Sequence, residues 1–120
     1  MKYMVVIKAA ENQGTPPQEL YAAIDELGAE ASKAGVQVDM GGLMPSALGV
    51  RVRIAGRKLI ITDGPFTETK EVIGGFAILE AGSMREAIEL TNRFLKIHGD
   101  TWDLECEVRP LDGQEFGAGA

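Results

Sequence analysis

The sequence predicts a single α+β domain, and three observations support this prediction. In two stretches, apolar residues at helical spacing follow residues that are typical of a helix N-terminal cap. Six short runs, rich in β-branched or alternating apolar residues, have the pattern of strands. The 120 residues are 45% hydrophobic and 25% charged, which is typical of a globular domain. We place the domain at residues 1–111 and expect the Gly- and Ala-rich residues 112–120 to form a flexible tail.

The first part of the chain is predicted to form a strand, a helix and a second strand. Residues 3–7 are a short apolar run, as expected of a strand. Thr15 is predicted to cap the helix, with Pro16 at its first position and Gln18 completing a capping box. Residues 36–40 then alternate between apolar and polar types, which predicts a half-buried strand.

The second part is predicted to form a hairpin, a strand, a helix and a last strand. Residues 50–54 and 58–62 flank a turn at residues 55–57, which predicts a β-hairpin. Gly74-Gly75 leads into a strand at residues 76–79 and allows a β-bulge or a close backbone approach. Ser83 and Glu86 predict a second capping box, and residues 102–108 alternate as a final strand.

The resulting order, without the hairpin, is the β-α-β-β-α-β arrangement of the ferredoxin-like fold. In that arrangement both helices cover one face of an antiparallel sheet. Residues 3–7, 59–61 and 76–79 are nevertheless apolar on both faces of their strands. We therefore expect a homodimer in which two sheets pack face to face as a dimeric α+β barrel. The alternative, a hairpin folded back over the open face, is weaker because the hairpin is short and carries several cations.

The most distinctive segment is the loop Asp-Gly-Pro-Phe-Thr-Glu-Thr-Lys-Glu at residues 63–71, followed by Gly74-Gly75-Phe76. This loop resembles the signature of the DGPF branch of the YCII-related domain family. Residues 1–7, 50–53 and 105–110 also resemble the pattern of that family. The resemblance covers the chain from about Lys2 to Pro110.

The resemblance implies a ferredoxin-like fold that dimerises as an α+β barrel. Most members of the family have no established activity, and some are encoded beside alternative sigma factors, which implies a possible sigma-factor partner. Other YCII-related proteins are enzymes that use a His and an Asp in a cleft. This chain has no His between Pro16 and Gly35, where the resemblance would place it, so a His-dependent mechanism is not expected.

Candidate ligand-binding residues lie in or near this loop. They are Asp63, Gly64, Pro65, Phe66, Glu68, Lys70 and Arg53. Asp63 is also the candidate catalytic residue, as a general base. Each has a structural alternative: Asp63-Gly64 is common turn chemistry, and Phe66 can fill the core beneath the loop. Arg53, with Arg51, can bind an anion or can form the polar face of an exposed hairpin.

Other sites and partners are not expected. One His and one Cys form no recognised metal site, and no cofactor motif is present. Cys106 has the strand parity of a core residue, and His98 lies where a helix end favours a cation. A net charge of −6 disfavours nucleic-acid binding. No apolar run is long enough to span a membrane, and no signal-peptide core is present, so we expect a cytoplasmic protein.

Two functional hypotheses follow. In the first, a dimer binds a small apolar or aromatic ligand in a cleft beside residues 63–71 and acts as a regulatory accessory. In the second, the protein is a cofactor-free enzyme, such as an isomerase, a lyase or a dehalogenase-like catalyst, with Asp63 as its base. The second hypothesis requires Asp63 to be partly buried in a concave pocket, with a proton donor within hydrogen-bond reach.

Overall fold

The computed structural model describes residues 1–11, 13–14, 16–99 and 102–114 of the chain. It contains six strands, two α-helices and one short 3-10 turn. In chain order these are β1 (Lys2–Ala9), α1 (Gln18–Lys33), β2 (Gln37–Gly42), the 3-10 turn (Ser46–Leu48), β3 (Val50–Ala55), β4 (Lys58–Asp63), β5 (Val72–Glu80), α2 (Met84–Lys96) and β6 (Leu104–Pro110).

Four of the strands form one antiparallel sheet in the order β2-β5-β1-β6. The central strand β1 therefore pairs with two strands from the later part of the chain. With two helices and antiparallel sheets, the molecule is consistent with the ferredoxin-like α+β class. The register of β1 against β5 shifts between Ile7 and Lys8, opposite Gly75 and Ile73. The irregularity predicted from Gly74-Gly75 is thus confirmed.

The predicted hairpin is confirmed as a separate two-stranded sheet of β3 and β4. Gly56 and Arg57 form its turn with φ angles of 55° and 69°. Two successive positive φ angles match the right-handed twist of the flanking strands. The hairpin hydrogen-bonds to no strand of the four-stranded sheet within the part of the chain that the structure describes.

The predicted start of α1 is wrong. Thr15 lies outside the described residues, and the helix begins at Gln18 with Pro17 as its N-cap and no side-chain capping bond. The physical reason is the Pro16-Pro17 pair, because a residue that precedes proline is disfavoured in the helical region. Gln18 is consequently the first helical residue and not the third position of a capping box.

The start of α2 matches the prediction more closely. The backbone N–H of Glu86 donates to the Ser83 hydroxyl at 3.2 Å. The Glu86 carboxylate accepts a bond from the N–H of Gly82 at 3.3 Å, one residue before the N-cap. The strand boundaries differ modestly from those predicted, since β5 begins already at Val72 and β6 begins only at Leu104.

The core lies between the helices and one face of the four-stranded sheet. Tyr3 and Val5 of β1 and Leu79 of β5 are almost fully buried there, against Ala87 of α2. The opposite face carries an apolar centre of four half-buried side chains: Met4, Val6, Phe76 and Ile78. Neither α1 nor α2 covers this second face, which is the arrangement expected from strands that are apolar on both faces.

The end of the described chain remains attached to β1. The Gln114 side-chain amide donates to the carbonyl oxygens of Lys2 and Leu111, at 2.9 Å and 2.7 Å. These bonds lie beyond the predicted domain end at residue 111, and residues 115–120 of the predicted tail lie outside the described residues. Neither helix, over the residues described, combines the length and the apolar character needed to cross a membrane.

Candidate functional site

The loop at residues 63–71 is attached to the 3-10 turn that precedes the hairpin. The N–H of Gly64 donates to the carbonyl oxygen of Gly49 at 2.9 Å. A Cβ atom at Gly64 would overlap the carbonyl oxygen of Ser46, so only glycine fits at this position. The next peptide bond, Gly64-Pro65, is cis. The start of the loop is therefore pressed directly against the backbone of the turn.

A hydrogen-bond relay joins the loop to a third segment of the chain. The N–H of Phe66 donates to the Ser46 hydroxyl oxygen at 3.1 Å. The Ser46 hydroxyl in turn donates to the Glu11 carboxylate, which also accepts the Ser46 N–H at 2.6 Å. Ser46 is only 9% exposed, and these bonds satisfy its N–H and its hydroxyl inside the protein. This Glu11–Ser46–Phe66 relay connects the end of β1, the 3-10 turn and the loop.

The relay should make stability depend on pH. Hydrogen bonds from the Ser46 hydroxyl and N–H lower the pKa of the Glu11 carboxyl below its ordinary value of 4.5. A lowered pKa in the folded state stabilises the protein above pH 4.5, and this stabilisation is lost as pH falls through the folded-state pKa. We expect the free energy of unfolding, measured with urea, to fall less for Glu11→Gln than for wild type when the pH is lowered from about 6 to about 3. Equal losses in both proteins would contradict the relay.

The middle of the loop packs on the hairpin through Arg51. The central guanidinium carbon lies 4.0 Å from the centroid of the Phe66 ring, which is a cation–π geometry. The same guanidinium forms an ion pair with the Glu68 carboxylate. The Thr69 hydroxyl and N–H both donate to the carbonyl oxygen of Phe66, at 2.8 Å and 3.2 Å. The aromatic ring is thereby fixed between the turn and strand β3.

The structure brings together only part of the predicted site. Phe66 and Glu68 meet through Arg51, and Gly64 and Pro65 shape the attachment to the turn. Lys70 and Arg53 are exposed and do not join this cluster through an ion pair among the described residues. Asp63 is exposed at the end of β4, directly opposite Val50.

An apolar cavity of about 30 Å³ lies between the helices and the sheet. It is lined by Val5, Ile7, Ile24, Leu27, Gly28, Val38, Met40, Ala77, Leu79, Leu90, Thr91 and Phe94. The Thr91 hydroxyl is already bonded to the carbonyl oxygen of Ala87 at 2.8 Å, so it is not a free polar group. A volume of this size holds roughly one water molecule, whereas ligand pockets occupy about 300–1,000 Å³. The cavity is too small for an aromatic ligand.

A second, larger groove of about 380 Å³ lies around β2, and its walls are mixed in charge. Its charged lining residues are Lys2, Asp39 and Glu80. The Glu80 carboxylate is already paired with the amino terminus at 2.8 Å. None of residues 63–71 lines this groove or the apolar cavity, so the predicted cleft beside the loop is not either of these spaces.

The surroundings of Cys106 and His98 indicate that both residues have structural roles. Burial raises the pKa of the Cys106 thiol, which disfavours the thiolate that a nucleophile needs. The His98 Nδ1 atom lies 2.8 Å from the carbonyl oxygen of Phe94, and the two rings meet edge to face at 4.7 Å. Across the ranges that the structure describes, no three His, Cys, Asp or Glu residues gather as a group able to hold a metal ion.

The sequence did not predict the roles of Glu11 and Ser46. It also did not predict that Arg51 contacts Phe66 and Glu68. Glu11 is a single acid after a strand, which carries no signal of its role. Ser46 follows Pro45 in a segment for which the sequence predicts neither a helix nor a strand. The one usable signal is the Pro45-Ser46 pair, because proline followed by serine is compatible with the start of a short helical turn.

Two comparisons relate this chain to known proteins. An uncharacterized protein of Rhizobium meliloti (strain 1021) is 31% identical over 90 residues, which cover 75% of this chain and 68% of that protein. The family model described as the YCII-related domain matches residues 1–96, so the part matched includes the loop, the hairpin and the whole of both helices. The chain therefore belongs to the YCII-related domain family.

Proposed function

We propose that this YCII-related protein is a cytoplasmic homodimer that binds a small apolar or aromatic ligand beside residues 63–71, as a regulatory accessory. The observation that carries the proposal is the attachment of this loop. A connection that only reverses the chain needs a few residues of turn chemistry. This loop is instead held to the 3-10 turn and to β3 by backbone, hydroxyl and guanidinium contacts, and through Ser46 it is linked to Glu11.

Such attachment is useful for binding because it fixes groups before a ligand arrives. The ring of Phe66 is half-buried and is held on the Arg51 guanidinium. A ring and a cation that are already ordered lose little further conformational entropy when a ligand packs on them. The loop therefore supplies an apolar surface with a charged border, which suits a small aromatic ligand.

The homodimer in this proposal rests on the second face of the sheet. Met4, Val6, Phe76 and Ile78 form an apolar centre on the face that lies away from both helices. Packing that face against the same face of a second copy would remove these side chains from water and form the dimeric α+β barrel. A sigma-factor partner and catalysis by Asp63 stay predictions, and the exposure of Asp63 in a single chain gives the catalytic hypothesis no buried base.

A thermal-shift screen of small aromatic compounds tests ligand binding. A ligand present at about 100 times its Kd should stabilise the protein by about 2.7 kcal/mol. We expect the shift to be lost in Phe66→Ala and reduced in Asp63→Asn. Asp25→Asn is the matched control, because Asp25 is exposed on α1 and does not belong to the loop.

The result that would contradict the proposal is specific. Ligands that stabilise Phe66→Ala and Asp63→Asn as strongly as wild type bind elsewhere, and a broad panel without any hit argues against a ligand-binding role.

A further inference from the structure

The β3–β4 hairpin has two chemically different faces. Cross-strand register places five apolar side chains on one face, which we call the apolar hairpin face: Val50, Val52, Ile54, Leu59 and Ile61. They are 56–74% exposed. The opposite face carries Arg51, Arg53 and Lys58 together with Ile60 and Thr62. A hairpin with one apolar face normally packs that face against a core. Among the residues that the structure describes, nothing covers the apolar hairpin face.

Exposure of large apolar side chains is concentrated in this region. Thirteen such side chains are exposed among the described residues, and all but Tyr21 and Ile88 lie between Met40 and Ile73. Scattered exposed apolar residues are normal on a protein surface, but a concentration of this kind marks an interaction site. The apolar hairpin face is its centre.

The loop at residues 63–71 explains why this face points outward. Phe66 and Glu68 both contact Arg51, which belongs to the opposite face of the hairpin. The loop therefore packs on the charged face at the base of the hairpin. It leaves the apolar hairpin face free along its whole length.

The size of the molecule points to a second copy as the occupant. The radius of gyration is 16.4 Å, whereas a compact domain of this length has about 13.6 Å. The accessible surface is 8689 Å², well above the roughly 6,300 Å² of a compact monomer of this mass. Obligate dimers commonly bury more than about 1,000 Å² per chain, so the chain exposes enough additional surface for such an interface.

We propose that the apolar hairpin face docks on a second copy of this chain, and that the partner thereby closes over Asp63. This inference rests on the homodimer proposed above and adds a second contact to it. The face has no cation and the chain has a net charge of −6, which disfavours an anionic lipid surface as the occupant. In a symmetric dimer both copies use the same surface, so the apolar hairpin face of each copy is buried by the other.

Asp63 lies both on the proposed dimer contact and at the start of the loop at residues 63–71. It lies directly opposite Val50 and follows Leu59 and Ile61 on the same face, so it is the one charged group there. A partner that covers the apolar hairpin face would also cover the Asp63 carboxylate. The ligand site beside the loop is therefore complete only in the dimer, with the second copy as one of its walls.

Light scattering on adjacent substitutions tests the contact. Ile61→Lys places a charge on the apolar hairpin face, and Ile60→Lys places the same charge on the opposite face of the same strand. At micromolar concentration, we expect wild type and Ile60→Lys to have twice the mass of one 12.8 kDa chain. Ile61→Lys should have the mass of one chain. Val52→Lys, directly opposite Ile61, is a second variant, with circular dichroism to establish that each is folded.

Carboxyl labelling tests the closure over Asp63. Carbodiimide-driven labelling with glycine ethyl ester, measured by mass spectrometry, should modify Asp63 more slowly in wild type than in the Ile61→Lys monomer. Asp25, exposed on α1, should be modified equally in both proteins.

The outcomes separate the two proposals. A monomeric wild type overturns both the homodimer and this docking surface. A wild type that is dimeric, with folded Ile61→Lys and Val52→Lys variants that stay dimeric, overturns the docking surface alone. In that case Ile78→Lys, on the open face of the large sheet, should dissociate the dimer. Equal labelling of Asp63 in dimer and monomer overturns the closure over the site.

Discussion

Replacing Gly64 with alanine is expected to lower the free energy of unfolding by about 3 kcal/mol. The added Cβ atom would overlap the carbonyl oxygen of Ser46. Neither backbone can yield easily, because the Gly64 N–H is bonded to the Gly49 carbonyl and the Gly49 N–H is bonded to the Ser46 carbonyl, both at 2.9 Å. Urea unfolding monitored by circular dichroism measures the loss.

Gly42→Ala is the matched control for this substitution. Gly42 is an exposed residue in β2, and a Cβ atom there would meet nothing within 4 Å. Its effect should be close to zero. If Gly64→Ala and Gly42→Ala changed stability equally, the loop would not be pressed against the 3-10 turn as described.

Replacing Ser46 with alanine is expected to cost about 2 kcal/mol of stability. The substitution removes the acceptor of the Phe66 N–H and one donor to the Glu11 carboxylate. The Phe66 N–H then lacks its acceptor, whereas the exposed Glu11 carboxylate keeps the bond from the backbone N–H of residue 46. Ser32→Ala, at an exposed position in α1, is the control and should leave the unfolding midpoint unchanged.

A double-mutant cycle shows whether the relay acts as a unit. If Glu11 and Ser46 stabilise the loop through their mutual bonds, the combined Glu11→Gln and Ser46→Ala variant should lose less stability than the sum of the single losses. Strict additivity would mean that the two residues act independently.

Local features of the fold could be predicted from the sequence. The hairpin was predictable because Ala55, Gly56 and Arg57 form a turn between two runs with period-two alternation. The start of α2 was predictable because Ser83 and Glu86 provide capping chemistry within one helical turn. The start of α1 was mispredicted because the effect of Pro17 on Pro16 overrode an otherwise typical capping pattern.

The candidate site was predictable only in part. The glycine and proline of the loop, and its aromatic ring, stand out in the sequence because they are adjacent. Their contacts do not, because the Phe66 N–H is bonded to a residue 20 positions earlier and Ser46 to one 35 positions earlier. Arg51 has the same difficulty, since its ion pair spans 17 positions. No periodicity or motif connects residues at such separations.

The position of β1 at the centre of the large sheet has a consequence for folding during synthesis. β1 is hydrogen-bonded to β5 and β6, and its Lys8 side chain is paired with Glu107, 99 residues later. At about 5–20 residues per second, the ribosome needs roughly 5–20 seconds to make that intervening chain. Until β5 emerges, β1 has two unpaired edges, and one of them stays unpaired until β6 emerges. A nascent chain with these properties is prone to aggregate, and binding by a chaperone would protect it until β6 emerges.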